Sequence, residues 1–152
     1  MDQISKLFDD VKVETNVFYI ISTPIGNLAD ISLRTIKILS HLDVIFCEDT
    51  RVTKKLLSHL DIRKKKLIVY NDHSDSKKRM EIIKILLSSK NKKYGLVCDA
   101  GTPLISDPGF KLIKECLINK IKITHIPGPS SVINSIVLSG IPPNNLYFAG
   151  YV

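Results

Sequence analysis

From Leu28 to Lys93 the chain contains neither glycine nor proline, although it holds seven of each. The residues that most readily turn or break a backbone are thus gathered outside that stretch. Long hydrophobic runs are also missing. Nothing approaches the roughly 20 apolar residues of a bilayer span, and the N-terminus lacks a basic segment followed by an apolar one. These absences point to a cytoplasmic protein with no membrane segment. Cysteine is scarce: Cys47, Cys98 and Cys116 have no CxxC spacing and each lies in an apolar stretch. That pattern suits buried thiols in a reducing compartment better than disulfides or metal ligands. A Walker A loop and a GxGxxG turn are both absent, which removes the P-loop nucleotidases and a dinucleotide-binding Rossmann site. No HExxH and no His/Cys cluster marks a metal, so none is expected.

What is present is basic. The 152 residues carry 22 Lys and Arg against 15 Asp and Glu, a formal charge of +7, which favours anionic partners. The densest basic run, "RKKK" at 63–66, is expected ahead of a strand, on the rim away from the functional one, where solubility accounts for it. Apolar periodicity alternates between strand-like and helix-like. Strands are expected at 17–21, 43–47, 66–70, 94–98 and 121–126. Helical stripes are expected from Leu33, Ile36, Leu39 and Leu42; from Val52, Leu56, Leu57 and Leu60; from Met80, Ile83, Leu86 and Leu87; and from Phe110, Ile113, Cys116 and Leu117. A last helix is expected over about 130–139.

This alternation predicts an α/β fold: a five-stranded, mostly parallel sheet with helices on both faces. All strand C-terminal ends then share one rim, where open α/β sheets bind ligands. Pro24, Gly26, Gly101, Pro103, Pro108, Gly109, Pro127, Gly128 and Pro129 all fall in connections leaving that rim, after the first, fourth and fifth strands. Two of these loops, "STPIGNLADI" and "DAGTPLIS", exceed the usual two to six or so residues. Single residues have plainer readings: Asp30 or Ser32 as helix caps, Asp107 as a cap with Pro108 in the first turn, and Pro129 opening the last helix. Caps do not explain three loops sharing one rim. Of the four histidines, only His73 is expected there. The residues themselves define a small-molecule rim and no more.

Five motifs, "STPIGNLADIS", "CEDTR", "NDHSD", "DAGTPLISDPG" and "PGPSS", stand in the order and spacing of one family. Over residues 17–152 the chain resembles the ribosomal RNA small subunit methyltransferase I family, a branch of the tetrapyrrole methylase-like enzymes. The resemblance implies methyl transfer from S-adenosylmethionine to the ribose 2′-hydroxyl of a cytidine in 16S ribosomal RNA. It implies the small ribosomal subunit as partner, a homodimer, and no metal. By motif it implies donor contacts from Ile25, Gly26, Ala100, Gly101, Thr102, Ile105, Ser130 and Ser131. RNA-side candidates are Glu48, Asp49, Arg51, Asp72 and His73, with Arg51 facing phosphate. Methyl transfer is an in-line displacement in which positioning carries much of the rate, and a base for the hydroxyl proton is expected among Asp49, His73 and Asp107, with Asp72 also on the rim. The alternative for residues 48–51 is a helix start whose acids complement the dipole.

Two departures from the family pattern are mild: "DHSD" where "DHNE" is common, and Cys98 in place of serine. The extent of the chain matters more. Residues 1–16 read as an N-terminal extension, with Ile4, Leu7, Phe8 and Val11 on one helical stripe or the segment frayed. Residues 17–141 read as the methyltransferase domain. Residues 142–152 read as a linker and the first strand of a second, truncated domain that would complete the donor site. The alternatives are a non-catalytic fragment, a dimerising or RNA-binding remnant, or a tetrapyrrole methylase.

Overall fold

The computed structural model describes residues 6, 8–71, 74–88 and 91–150. Five strands, β1 (Val17–Ile21), β2 (Val44–Cys47), β3 (Lys66–Val69), β4 (Tyr94–Val97) and β5 (Lys122–Ile126), form one sheet in the order β3-β2-β4-β1-β5. Every strand pair is parallel. Between and after them run α1 (Leu33–His41), α2 (Thr50–His59), α3 (Ser76–Ser88), α4 (Phe110–Ile118) and α5 (Ser131–Leu138).

Chain direction decides which face each helix covers. From β1 to β2 to β3 the chain moves toward one edge, and right-handed crossovers put α1 and α2 on one face. From β3 to β4 to β5 it moves back, so α3 and α4 cover the other. The cores agree. Tyr19, Ile21, Ile45, Cys47 and Val97 pack with Ile38, Leu39, Leu42 and Leu57. Phe18, Ile20, Phe46, Tyr94 and Leu96 pack with Ile82, Ile83, Leu112 and Cys116. Alternate residues of each strand serve opposite faces, and burial on both explains why β1 reads as an unbroken apolar run. Gly95 in β4 lets α1 settle onto the sheet: a Cβ there would lie 2.5 Å from Leu42 Cδ1 and 3.0 Å from Ile21 Cδ1. All three cysteines are free and buried.

Each expected helical stripe is right in part: Leu39, Leu42, Leu57, Ile83 and Cys116 are buried as expected, while other members are not. In α1 the buried residues are Thr35, Ile38 and Leu39, followed by Leu42, whereas Leu33 is exposed. Thr35 is polar, yet its hydroxyl accepts from Ser32 Oγ at 2.9 Å, and so it can be buried. In α2 the buried pair is Thr53 and Leu57; in α3 it is Ile82 and Ile83; in α4 it is Leu112 and Cys116. Val52, Met80, Leu87, Phe110 and Leu117, expected inside, are exposed. Each helix has more apolar positions than one face can bury, and contact with the sheet selects the row.

Two cap readings also change. Ser32 caps α1 through Thr35 N at 3.0 Å, but Asp107 does not cap α4, which begins at Phe110 after Gly109. Pro129 lies two residues ahead of α5, not in it. The N-terminal segment packs against the domain: Lys37 Nζ sits 4.6 Å above the Phe8 ring, and Val11 and Val13 join the first core. Ile4 and Leu7 lie outside the described residues. Leu146–Gly150, read as the opening of another strand, has no strand assigned.

Candidate active site

β4 lies between β1 and β2, yet its exit loop runs to the opposite face from theirs. The carboxyl rim at β4 is therefore a topological switch point, where adjacent loops diverge and leave a crevice. Here the loops after β1, β4 and β5 are joined by hydrogen bonds. Thr23 N donates to Gly101 O at 2.8 Å and Gly101 N to Thr23 O at 3.1 Å, an antiparallel bridge between the first two loops. Thr102 Oγ1 donates to Pro129 O at 3.1 Å, tying in the third.

That last bond fixes the direction of a longer chain. Ser22 Oγ lies 2.9 Å from Thr102 Oγ1 and 3.2 Å from His125 Nε2. Because Thr102 gives its proton to a carbonyl, Ser22 must donate to Thr102 and accept from His125. The ring therefore carries its proton on Nε2. Burial, and secondarily the charge of Arg34, push the His125 pKa below its ordinary value, so near neutrality this donor is an uncharged imidazole.

Glycine is required where the loops meet. Gly101 has φ +86°, and a Cβ on it would lie 3.2 Å from Ile25 Cγ2. At Gly128 a Cβ would come within 2.8 Å of Ser22 Cβ. Leu104 and Ser106 also adopt positive φ, 76° and 56°, a strain of about 1–2 kcal/mol for a residue such as leucine. The loop keeps this conformation because both of its sides are held.

A cleft of about 480 Å³ opens between the β1 loop and α2, lined by Pro24, Gly26 and Leu28 on one side, Val52, Lys55 and His59 on the other, with Asp99 and Thr23 also in its wall. Asp49 precedes α2 and caps it: its Oδ1 accepts from Arg51 N at 2.7 Å. The Arg51 guanidinium grips the same carboxylate, Nη2 to Oδ2 at 2.6 Å. These hydrogen bonds hold the Asp49 pKa down at about 2. Asp99 behaves oppositely. Its Oδ1 accepts from Asp49 N at 3.1 Å, but burial, with the neighbouring Asp49 charge, raises its pKa.

The structure thus brings Ile25, Gly26, Ala100, Gly101 and Thr102 together at the joined β1 and β4 loops. Ser130 and Ser131 follow Pro129 at the start of α5, linked to them through Thr102. Ile105 is exposed farther along the β4 loop. Glu48 and Asp49 lead into α2, and Arg51 is its second residue. Asp107 stands apart: it lines a separate pocket of about 120 Å³ with Tyr70, Asn71 and Arg79, and its carboxylate interacts with the buried Cys98 thiol, helping to raise that thiol's pKa after burial itself. Asp72 and His73 lie outside the described residues. Sequence reasoning missed Ser22, Asp99 and His125, and limiting the rim histidines to His73 was wrong, since His125 is the penultimate residue of β5. All three are polar residues within two positions of a strand's C-terminal end, a signal that was available.

A parallel sheet whose β1, β4 and β5 exits are joined into one glycine-lined rim at a topological switch point defines a ligand-binding α/β domain. The chain belongs to the tetrapyrrole (corrin/porphyrin) methylases, whose family model matches residues 17–148. Within that family it is 46% identical over 134 residues to ribosomal RNA small subunit methyltransferase I of Rickettsia prowazekii (88% of this chain, 47% of that protein). It is 42% identical over 136 residues to the protein of that name from Vibrio cholerae (90% of this chain, 46% of that protein). The chain therefore spans about half the length of these curated relatives. Among solved structures it is similar to uroporphyrin III C-methyl transferase from Thermus thermophilus, with TM-score 0.55 and 15% identity over 83% of this chain and 52% of that one; that likeness concerns the fold alone.

Proposed function

We propose that the chain is the donor-binding half of an S-adenosylmethionine-dependent methyltransferase acting on the ribose 2′-hydroxyl of a cytidine in 16S ribosomal RNA. The observation that carries the reading is the welded rim: three glycine-bearing loops locked by the Thr23–Gly101 bridge and the His125–Ser22–Thr102–Pro129 chain. A cleft shaped before binding loses less free energy to ordering when the ligand arrives. The residues fit the donor. Glycine and Ala100 expose backbone for close approach, Leu28 and Val52 offer apolar surface, and Asp99 supplies a negative charge toward a cation.

When bound, S-adenosylmethionine supplies an electrophilic methyl group on a sulfonium. Ile25, Gly26, Ala100, Gly101, Thr102, Ile105, Ser130 and Ser131 hold it against the rim. The Thr102 hydroxyl is engaged with Pro129 and Ser22, so its contribution is to fix the loops and present backbone. The acceptor hydroxyl must lose a proton as the new carbon–oxygen bond forms and the methyl–sulfur bond breaks with its electron pair left on sulfur, and a carboxylate with a raised pKa accepts that proton better. Asp49, held at about 2 by Arg51, is a weak acceptor. Asp99 is the carboxylate best suited to the task, with Asp49 positioning it through the backbone and the edge of the Arg51 guanidinium not held by Asp49 open to RNA phosphate. His73, Asp72 and Glu48 remain RNA-side candidates, and Asp107 a candidate base from the neighbouring pocket.

The division into an extension (1–16), a methyltransferase domain (17–141) and the start of a second domain (142–152) is part of the proposal, as are the cytoplasmic location and a homodimer. Among the described residues no helix is long and apolar enough to cross a membrane. Ile133, Val137 and Leu138 of α5 are exposed, and light scattering tests the dimer. The function is tested by incubating the protein with labelled donor and small subunits lacking the modification. Label on a cytidine 2′-oxygen is expected; label on a tetrapyrrole and none on RNA would overturn the substrate.

A further inference from the structure

Charge is distributed unevenly along this chain. Residues 51–93 hold fourteen of the 22 Lys and Arg but four of the 15 Asp and Glu, a local +10 in a chain totalling +7. The described residues of this stretch lie around one edge of the sheet. β3 is an edge strand, and α2 and α3, its neighbours in sequence, flank it on opposite faces. α2 has no acidic residue, and its Arg51, Lys54 and Lys55 are all exposed.

Where α2 ends, a groove of about 420 Å³ opens between the helix and the turn into β3, lined by Lys54, Ser58, Asp61, Arg63, Lys64 and Lys65 among others. Lys65 anchors this turn: its Nζ donates to Ser40 O at 2.6 Å and Leu42 O at 2.8 Å. Arg63 and Lys64 beside it are exposed. The lone carboxylate of the lining, Asp61, is paired with Arg63 at 2.8 Å. Guarding an edge strand against aggregation accounts for Lys66 on β3 itself. It does not account for a basic groove beside the helix or for basic residues reaching the cleft.

We propose that this face docks the phosphate backbone of RNA and leads it along α2 to the cleft; the proposal rests on the ribosomal RNA reading given above. α2 joins the two places: Lys55 and His59 line the cleft and Lys54 and Ser58 the groove, on neighbouring faces of one helix about 15 Å long at 1.5 Å per residue. Lys and Arg side chains on such a track fix register and orientation without reading bases.

The test is binding of a fluorescent synthetic RNA hairpin across a potassium chloride series. The groove variant Lys54→Glu/Arg63→Glu/Lys64→Glu leaves Lys65 and its anchoring bonds intact. A control of equal charge change, Lys111→Glu/Lys114→Glu/Lys120→Glu, sits at and just beyond α4. The groove variant is expected to bind at least tenfold more weakly and to lower the slope of log K against log salt by about 2–3, the loss of three phosphate contacts. The control should stay within twofold. Equal losses in both variants would mean that only net charge matters, and no loss in the groove variant would remove the surface; either overturns the proposal. So would polyglutamate competing as well as unlabelled RNA, which would point to an acidic protein partner. Circular dichroism melts verify folding. Calorimetry with S-adenosylmethionine separates the two readings: failure of the unaltered chain to bind donor would count against the methyltransferase assignment, whereas intact donor binding with an unaffected RNA isotherm in the groove variant would sink the docking surface alone.

Discussion

Replacing Thr102 by valine keeps the shape of the side chain and deletes the hydroxyl at the centre of the rim. Two interactions go: the bond to Pro129 O at 3.1 Å and the acceptor for Ser22 Oγ at 2.9 Å. The first is worth about 1 kcal/mol net. The second leaves Ser22, which is buried, with His125 as its remaining side-chain partner, adding a further 0.5–2 kcal/mol or so of desolvated hydroxyl. The total, about 1.5–3 kcal/mol, lowers Tm by about 5–10 °C in a domain of this size. Donor binding suffers too, because the β4 and β5 loops no longer arrive held together. If about 0.7–1.4 kcal/mol of that loss is felt in the cleft, affinity falls about 3- to 10-fold. Thr102→Ser retains both bonds and should bind donor within twofold of the unaltered chain. Isothermal titration of S-adenosylmethionine into the three proteins, with thermal melts alongside, decides it. Valine binding as well as threonine while serine weakens would mean that the methyl group matters and the hydroxyl chain does not, and the argument from the welded rim would fail.

Gly101→Trp, which adds bulk where even a Cβ meets Ile25 at 3.2 Å, should abolish donor binding in the same titration while circular dichroism still reports a folded sheet; undiminished binding would move the donor elsewhere. Gly95→Ala should destabilise by about 1–3 kcal/mol, as overpacking does, because Leu42 Cδ1 occupies the space of the new methyl group; an unchanged melt would contradict the close seating of α1 on β4. Asp99→Asn keeps an acceptor for Asp49 N and removes a like charge, so Tm should hold or rise while methyl transfer drops at least tenfold, and undiminished transfer would take the base role from Asp99. The lowered His125 pKa has a pH signature. The folded ring resists protonation, the unfolded ring titrates near 6.5, and the stability fully present above that value is lost as pH falls toward the folded pKa. Melts between pH 8 and 5 should show a steeper decline for the unaltered chain than for His125→Gln, and parallel declines would remove His125 from the account.

The fold was legible because the apolar pattern of a sheet covered on both faces needs no knowledge of contacts: β1 came out residue for residue, and the other strands differ by single terminal residues. The helical rows were harder, since Val52, Met80 and Phe110 satisfy a helical period as well as the residues that are buried. Only the sheet's position selects among them, and a buried Thr35 becomes affordable only once Ser32 is seen to satisfy it. The loops announced themselves through glycine and proline, which are visible one residue at a time. What joins those loops is not visible in this way. Ser22, Thr102 and Pro129 come from three separate connections and His125 from β5, and they meet only because β1 pairs with both β4 and β5. The same logic separates the two carboxylates: in the sequence Asp49 and Asp99 are equivalent acids following strands, and it is the Arg51 fork on one and burial on the other that hold the first pKa down and push the second up.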